Sequence, residues 1–160
     1  MHQDMVHKIM RYPILGVLLI LTACSFEPSA QPLENEKVCN KFLMAVMNND
    51  IRKVRSILGE GADVNCQTYP LGNGCMHIMT SKEEDYSYMV SLLVSKGADI
   101  NMKNAQGSTA LKFAVVRSDM GFIKLLLKLG ADKEIMDRNN LMAVDYASSE
   151  KDDEIIKLLK

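Results

Sequence analysis

The sequence predicts an all-α fold with short hairpin loops, in which about four helix-turn-helix units stack as a solenoid. The triplet Gly-Ala-Asp occurs at residues 61–63, 97–99 and 130–132, so its spacings are 36 and 33 residues. After the first two triplets comes the same frame, an aliphatic residue and then Asn. A period near 33 residues is typical of stacked repeats and not of a globular enzyme domain.

The residues before each triplet predict the second helix of each unit. Apolar residues precede each Gly at a spacing of i, i+3 and i+4, which places them on one face of a helix. These sets are Val54/Ile57/Leu58, Val90/Leu93/Val94 and Ile123/Leu126/Leu127. Glycine accepts the left-handed conformation that ends a helix, so we expect each helix to stop at its triplet.

A shorter helix precedes each of these, and its sequence resembles a known family. Gly107-Ser108-Thr109-Ala110-Leu111-Lys112-Phe113-Ala114 resembles the ankyrin-repeat signature Gly-x-Thr-Pro-Leu-His-x-Ala, with Ala110 for Pro and Lys112 for His. Residues 72–79 keep His77 but lose the Thr and Pro. The resemblance implies that Thr and His side chains tie neighbouring loops. Because no unit keeps both, we expect this network to be weak or rebuilt.

The alignment divides the second part of the chain into four repeats. Their expected bounds are 38–67, 68–103, 104–136 and 137–160. The fourth lacks the triplet, and its second helix is predicted from Ile155, Leu158 and Leu159. Stacked helix pairs build one continuous core, which a single pair cannot do.

The first 23 residues are typical of an export signal. Lys8 and Arg11 precede an apolar run over residues 14–21, which is too short to span a bilayer stably. Leu21-Thr22-Ala23-Cys24 then resembles the lipobox of bacterial lipoproteins. That resemblance implies transfer of a diacylglyceryl group to the Cys24 thiol, cleavage before Cys24 and acylation of its new amino group. The alternatives are an ordinary signal peptide or a weak membrane anchor.

Residues 24–37 are predicted to be the acylated Cys and a flexible tether, because they contain Pro28, Pro32, small residues and scattered charges. Several acyl chains hold a protein on a membrane more firmly than one. The residue after Cys24 is Ser25 and not Asp, and in this the sequence resembles outer-membrane lipoproteins. We therefore expect a lipid-anchored protein of the cell envelope, on the outer membrane and facing the periplasm.

Composition argues against nucleic-acid binding and catalysis. The formal net charge of the 160 residues is -1, which gives no electrostatic case for a nucleic-acid partner. Beyond the signal the single histidine is His77, and no phosphate loop or metalloprotease helix is present. We expect no enzyme, cofactor or metal. The alternative is an enzyme that uses His77.

Three cysteines follow Cys24. Export favours a disulfide, and Cys66 and Cys75 are separated by only eight residues, so a Cys66–Cys75 bond is predicted. Cys39 paired with either, or three free thiols, are the rivals. A metal site at Cys66, Cys75 and His77 would lack a fourth ligand.

The most unusual segment runs from Ser81 to Tyr88. It lies in a connection two residues longer than its counterpart in the third unit, is acidic, and carries two tyrosines. Insertions in solenoids often map to the binding face, and Tyr is favoured at interfaces. The alternative is a tolerated surface insertion with Tyr86 or Tyr88 packed on the stack.

The family resemblance implies that a partner binds the hairpin tips and the exposed side of the first helices. The candidate partner-binding residues are Tyr69, Asn73, Ser81, Lys82, Glu83, Glu84, Asp85, Tyr86, Tyr88, Gln106, Ser108, Val116, Arg117, Arg138, Leu141 and Ser149.

Together these observations predict a membrane-tethered, periplasmic protein-binding module that is a monomer when free. By resemblance to small exported ankyrin lipoproteins, a specific version is an immunity protein that sterically neutralises a secreted antibacterial effector such as a lipase. The alternative is a scaffold or accessory factor for an envelope enzyme, as in stress protection.

Overall fold

The structure, a computed structural model, describes residues 31–79, 85–147 and 153–160. The chain divides into two compact units, Met1–Glu34 and Asn35–Lys160. Only residues 31–34 of the first unit are described, and the repeats belong to the second.

All regular secondary structure in the described ranges is helical, as the sequence predicts. The elements are α1 Gln31–Met47, α2 Ile51–Gly59, α3 Cys75–Ile78, α4 Ser87–Ser95, α5 Ala110–Val116, α6 Met120–Lys128, a 3-10 helix Ala143–Tyr146 and α7 Asp153–Leu159. They form helix-turn-helix repeats, and the predicted all-α repeat fold is confirmed.

The second helices α2, α4 and α6 bury the faces that their spacing predicts. The first two members of each apolar set are buried and the third is half-buried: Val54, Ile57, Leu58; Val90, Leu93, Val94; Ile123, Leu126, Leu127. Each helix ends within two residues of a glycine in the left-handed region: the φ angles of Gly61, Gly97 and Gly130 are 95°, 87° and 95°. A side chain there would be strained, which is why glycine marks the period.

The repeats stack in two layers. In the first layer, α3 contacts α5, and α5 contacts the 3-10 helix. In the second layer, side chains join successive helices: Arg55 of α2 bonds to the Tyr88 hydroxyl of α4, and Lys124 of α6 pairs with Glu154 of α7 at 2.8 Å. Apolar residues from both layers form the core between them.

Helix α1 begins earlier than the sequence predicts. The predicted flexible tether extends to residue 37, but residues 31–37 are helical. Pro32 lies in the first helical turn, where its missing amide hydrogen is not needed. The Glu and Lys residues that follow are good helix formers, so they extend the helix toward its N-terminus.

The predicted Cys66–Cys75 disulfide is wrong. Cys66 is bonded instead to Cys39 of α1, with their Cα atoms 5.8 Å apart. Cys75 is a buried free thiol in the first turn of α3, 3.5 Å from the Val64 carbonyl oxygen to which it donates. The chain between Cys66 and Cys75 forms a hairpin that directs Cys75 into the core, whereas the loop carrying Cys66 lies against α1. Closeness along the chain therefore did not bring those sulfurs together.

The Gly-Ala-Asp-x-Asn frame also ties neighbouring repeats to one another. The Asp63 carboxylate accepts from the Asn65 amide, and this turn aims the Asn65 side chain at the next repeat. There the Asn65 side chain donates to the Gly97 carbonyl at 2.9 Å and accepts from the Asp99 amide at 2.7 Å. Asn101 repeats the second contact with the Asp132 amide at 2.8 Å. The triplets thus stop the helices and also couple the repeats.

Replacing Asn65 by Ala is expected to lower the free energy of unfolding by about 1–2 kcal/mol, because two inter-repeat hydrogen bonds are lost at a partly solvated site. Urea unfolding followed by circular dichroism measures this. Glu134→Ala is the matched control, since Glu134 stands at the equivalent position and its side chain makes no such bond within the described residues. An equal loss in both variants would contradict this role for Asn65.

The second repeat is longer than the third because its connections contain extra residues. One of these residues lies in its hairpin. The hairpin closed by Thr68 and Asn73 is one residue longer than the one closed by Asn104 and Ser108. The extra residue enlarges a tip that includes Tyr69, which is 87% exposed. The connection between α3 and α4 accounts for the other two residues. The stacked helices therefore keep their register despite the insertions.

Candidate functional site

The connection between first and second helices is built alike in the first and third repeats. Asp50 caps α2 and Asp119 caps α6, each carboxylate accepting a backbone amide at 3.0 Å. The residue before each Asp, Asn49 or Ser118, has a positive φ of 51° or 52°. These shared caps fix the alignment of α1 with α5.

That alignment places Met44 and Met47 of α1 at the positions of Phe113 and Val116 of α5. Met44 is 51% exposed, Met47 49% and Val116 60%, although all three are apolar. We call the equivalent positions of the first layer the first-helix face. It consists of Met44, Met47, Ile78, Phe113, Val116 and Tyr146.

A recess opens on the first-helix face between the third and fourth repeats. It has a volume of about 300 Å³ and is lined by Ser108, Lys112, Phe113, Val116, Arg117 and Tyr146. The Arg117 guanidinium lies 5.5 Å from the centroid of the Phe113 ring, and the Lys112 ammonium lies 4.5 Å from that of Tyr146. The walls are therefore aromatic and apolar, and both charged lining residues are cationic.

His77 is a structural residue beneath this face. Its Nδ1 accepts from the Gly74 amide at 3.2 Å, so its Nε2 carries the proton and donates to the Ser108 carbonyl at 2.9 Å in the next repeat. Burial lowers the pKa of His77, and the Ser108 carbonyl opposes that shift. Both ring nitrogens are engaged in packing the stack, which leaves the catalytic alternative for His77 without support.

Lys112 takes over the role of this histidine in the third repeat. Its ammonium donates to the Leu141 carbonyl at 3.0 Å, as His77 donates to Ser108. The inter-loop network is thus rebuilt with a different side chain. Unlike histidine, the lysine brings a full charge into the interior, where an unpaired charge would be costly.

Asp137 neutralises that charge. Its carboxylate lies 2.5 Å from the Lys112 ammonium, and both side chains are almost wholly buried. The same carboxylate accepts from the Tyr146 hydroxyl at 2.8 Å and from the amides of Asn139 and Leu141. Lys112, followed by these other donors, holds the pKa of Asp137 well below its usual range. Lys112, one member of this ion pair, lines the recess.

Some predicted partner-binding residues meet at the recess and others do not. Val116 and Arg117 are exposed at its rim. Ser108 also lines it but is largely buried, because its amide donates to Asn104 and its carbonyl accepts from His77.

The remaining candidates lie elsewhere or outside the described residues. The exposed ones are Tyr69, Asp85, Gln106, Arg138 and Leu141, whereas Asn73 is half-buried. Those outside the described residues are Cys24, Ser81, Lys82, Glu83, Glu84 and Ser149.

The two tyrosines of the inserted segment are not a joint binding element. Tyr86 is only 8% exposed and donates to the Met47 carbonyl at the end of α1, at 3.3 Å. Tyr86 precedes α4 where Asp50 precedes α2, so its side chain packs into the repeat junction. Tyr88 is exposed but belongs to the second layer, where it contacts Arg55. The prediction that Tyr86 faces a partner is therefore wrong.

Met44 and Met47 are not among the residues predicted from the sequence. Their signal was present in the spacing: Met44 and Met47 precede Asp50 by the same intervals at which Phe113 and Val116 precede Asp119. Aligning the helix caps, instead of the signature alone, reveals them.

The described ranges contain no cluster of three or more His, Cys, Asp or Glu side chains placed to hold a metal ion. Burial raises the pKa of the Cys75 thiol to about 11, which makes it a poor nucleophile near neutral pH. Within the same ranges, no helix is long and apolar enough to cross a membrane.

Comparison with known proteins places this geometry among repeat proteins. The family "Ankyrin repeats (3 copies)" matches residues 42–137 and 76–160. The chain is 30% identical over 127 residues to an ankyrin repeat protein of Borreliella burgdorferi, a match covering 79% of this chain and 27% of that protein. It is 32% identical over 123 residues to one of fowlpox virus, covering 74% and 36%.

The match to the ankyrin repeat protein YahD of Escherichia coli is 30% over 125 residues, covering 75% of this chain and 61% of that protein. The chain thus spans about a quarter to three fifths of the length of these relatives. No catalytic family is among the matches, and proteins of the matched kind are generally non-enzymatic interaction modules.

Proposed function

Because the chain belongs to the ankyrin-repeat family, we propose that it is a protein-binding module whose contact surface is the first-helix face. The observation that carries this proposal is the exposure of apolar side chains on the first helices of two repeats. Met47 of α1 and Val116 of α5 are exposed at equivalent positions, and Met44, one turn before Met47, is exposed as well. Exposed apolar groups that recur in register mark an interaction surface better than isolated ones.

The composition of this face suits a protein partner. Methionine and aromatic residues are enriched at protein interfaces, and Met adapts its shape to the surface that it meets. The formal charge of -1 does not favour nucleic acid. Binding would act sterically, by covering a surface of the partner.

Replacing Met47 and Val116 by Asp is expected to weaken partner capture at least about tenfold, because each change places a charge at the centre of an apolar contact. The full chain carrying a photo-crosslinking residue at position 44 would be used to capture the partner from envelope extract and from secretions of competing strains. Arg52→Asp, on the exposed side of α2, is the control. If the Met47→Asp/Val116→Asp variant captures the partner as well as the parent chain and the control do, the first-helix face is not the binding surface.

We also propose that this module is tethered in the cell envelope by acyl groups on Cys24. The support is the Leu-Thr-Ala-Cys motif after an apolar run, together with a Cys39–Cys66 disulfide, which suits an oxidising compartment. Labelling with a fatty-acid analogue tests the tether. Label that persists in Cys24→Ser would contradict acylation at this residue.

Within that setting we propose an immunity role, in which the module neutralises a secreted antibacterial effector such as a lipase. The support is a repeat stack with an exposed apolar face, combined with the envelope signal. Coexpression with an effector encoded nearby should protect sensitive cells, and the Met47→Asp/Val116→Asp variant should not. Lack of protection, with capture of a resident envelope enzyme, would favour the scaffold alternative.

A further inference from the structure

The recess between the third and fourth repeats has apolar walls and room for only a small part of a partner. The Phe113 and Tyr146 rings and Val116 supply the apolar surface, and the volume is about 300 Å³. This size lies at the lower end of known ligand pockets, so it suits one large side chain and its immediate neighbours. A whole helix would instead spread along the first-helix face.

The charges around the recess are unbalanced. No carboxylate lines it, and Lys112, one of its two lining cations, is already paired with Asp137. Arg117 at the rim is exposed, and no described carboxylate lies within salt-bridge distance of it. Among the described residues, the Arg117 guanidinium is therefore without a carboxylate partner.

Within the described residues, the elements next to the recess contribute few acidic side chains. The 3-10 helix contributes Asp145, whose carboxylate accepts from the Met142 amide at 2.8 Å. The adjoining hairpins add the exposed cations Lys103 and Arg138. The Arg138 amide donates to the Gln106 carbonyl at 3.2 Å, which joins that hairpin to the one leading into the recess. Apart from the Lys112–Asp137 pair, the described residues of these elements and Arg117 thus carry three cations and one engaged acid, Asp145.

The position of Arg117 suits recognition of a carboxylate. Its guanidinium lies over the Phe113 ring, a contact that limits the orientations of a long side chain. The planar guanidinium offers paired donors that match a carboxylate, and the aromatic surface beside it excludes water.

We propose that the recess binds an acidic peptide segment of the partner, in which an aromatic or branched apolar side chain enters between Phe113 and Tyr146 and an adjacent Asp or Glu pairs with Arg117. This inference rests on the proposed function, because it specifies the partner chemistry of the same face. The occupant is a protein segment of negative charge.

The test uses random 12-residue peptides displayed on phage and selected against the full chain. Selected peptides are expected to carry an aromatic or branched apolar residue next to Asp or Glu. Affinity of a synthetic copy should fall at least about tenfold for Arg117→Glu and stay unchanged for Arg52→Glu on the second layer. Changing the acidic residue of the peptide to Lys should restore binding to Arg117→Glu, which a merely unfolded variant could not do.

The outcomes separate this inference from the proposed function. Peptides without acidic enrichment, or an affinity that Arg117→Glu leaves unchanged, would overturn the acidic-segment proposal. If partner capture still depended on Met47 and Val116, the binding function of the face would stand. Loss of that dependence would instead overturn the proposed function itself.

Discussion

We expect the chain to lose about 3–4 kcal/mol of unfolding free energy when Cys39 and Cys66 are both replaced by Ser. The disulfide joins residues 27 positions apart, and closing a loop of that length removes much of the entropy of the unfolded chain. The bond fastens α1 to the loop that leaves the first repeat. Urea unfolding of the full chain measures the loss.

A reducing agent supplies the control. It should destabilise the parent chain by about the same 3–4 kcal/mol and leave the Cys39→Ser/Cys66→Ser variant unchanged. Cys75→Ala retains the bond, so its response to reductant should match that of the parent. A reductant effect that persisted without Cys39 and Cys66 would contradict this assignment of the disulfide.

Replacing Lys112 by Met is expected to lower the melting temperature by about 10 °C or more at neutral pH, because Asp137 is left buried without its counter-charge. Lys124→Met breaks an exposed ion pair with Glu154 and should change the melting temperature by less than about 2 °C. Differential scanning calorimetry compares the two variants.

The pH dependence gives this prediction a second readout. The pKa of Asp137 is lower in the folded chain than in the unfolded one, so its stabilisation is full above the unfolded pKa of about 3.9. It is lost as pH falls through the folded pKa, which lies lower. The gap between the parent and Lys112→Met should therefore narrow below about pH 4. A gap that stayed constant down to pH 2 would mean that the ion pair does not carry the effect.

The fold was predictable because its determinants are local and repeated. Glycine at each helix end, the i, i+3, i+4 faces and the 36 and 33 residue spacings all lie within short stretches of sequence. The two inserted residues between α3 and α4 were visible for the same reason. The buried residues of the second helices follow directly from the i, i+3, i+4 spacing of their apolar residues.

The site was only partly predictable, because three of its features depend on packing across repeats. Cys39 meets Cys66 only after α1 lies against the loop of its own repeat. Lys112 departs from the signature yet keeps the donor role of histidine, and its ion pair requires a residue of the next repeat. Tyr86 is buried because it occupies a cap position, which composition alone does not reveal.

One position of the repeat carries histidine in the second unit and lysine in the third, and this gives the two interfaces different acid thresholds. The lowered pKa of His77 means that its contribution is complete above about pH 6.5 and declines as pH falls toward the folded value. The interface held by Lys112 and Asp137 begins to lose its contribution only below about pH 4. On acidification the junction between the second and third repeats therefore weakens first, while the Lys112–Asp137 ion pair between the third and fourth remains intact.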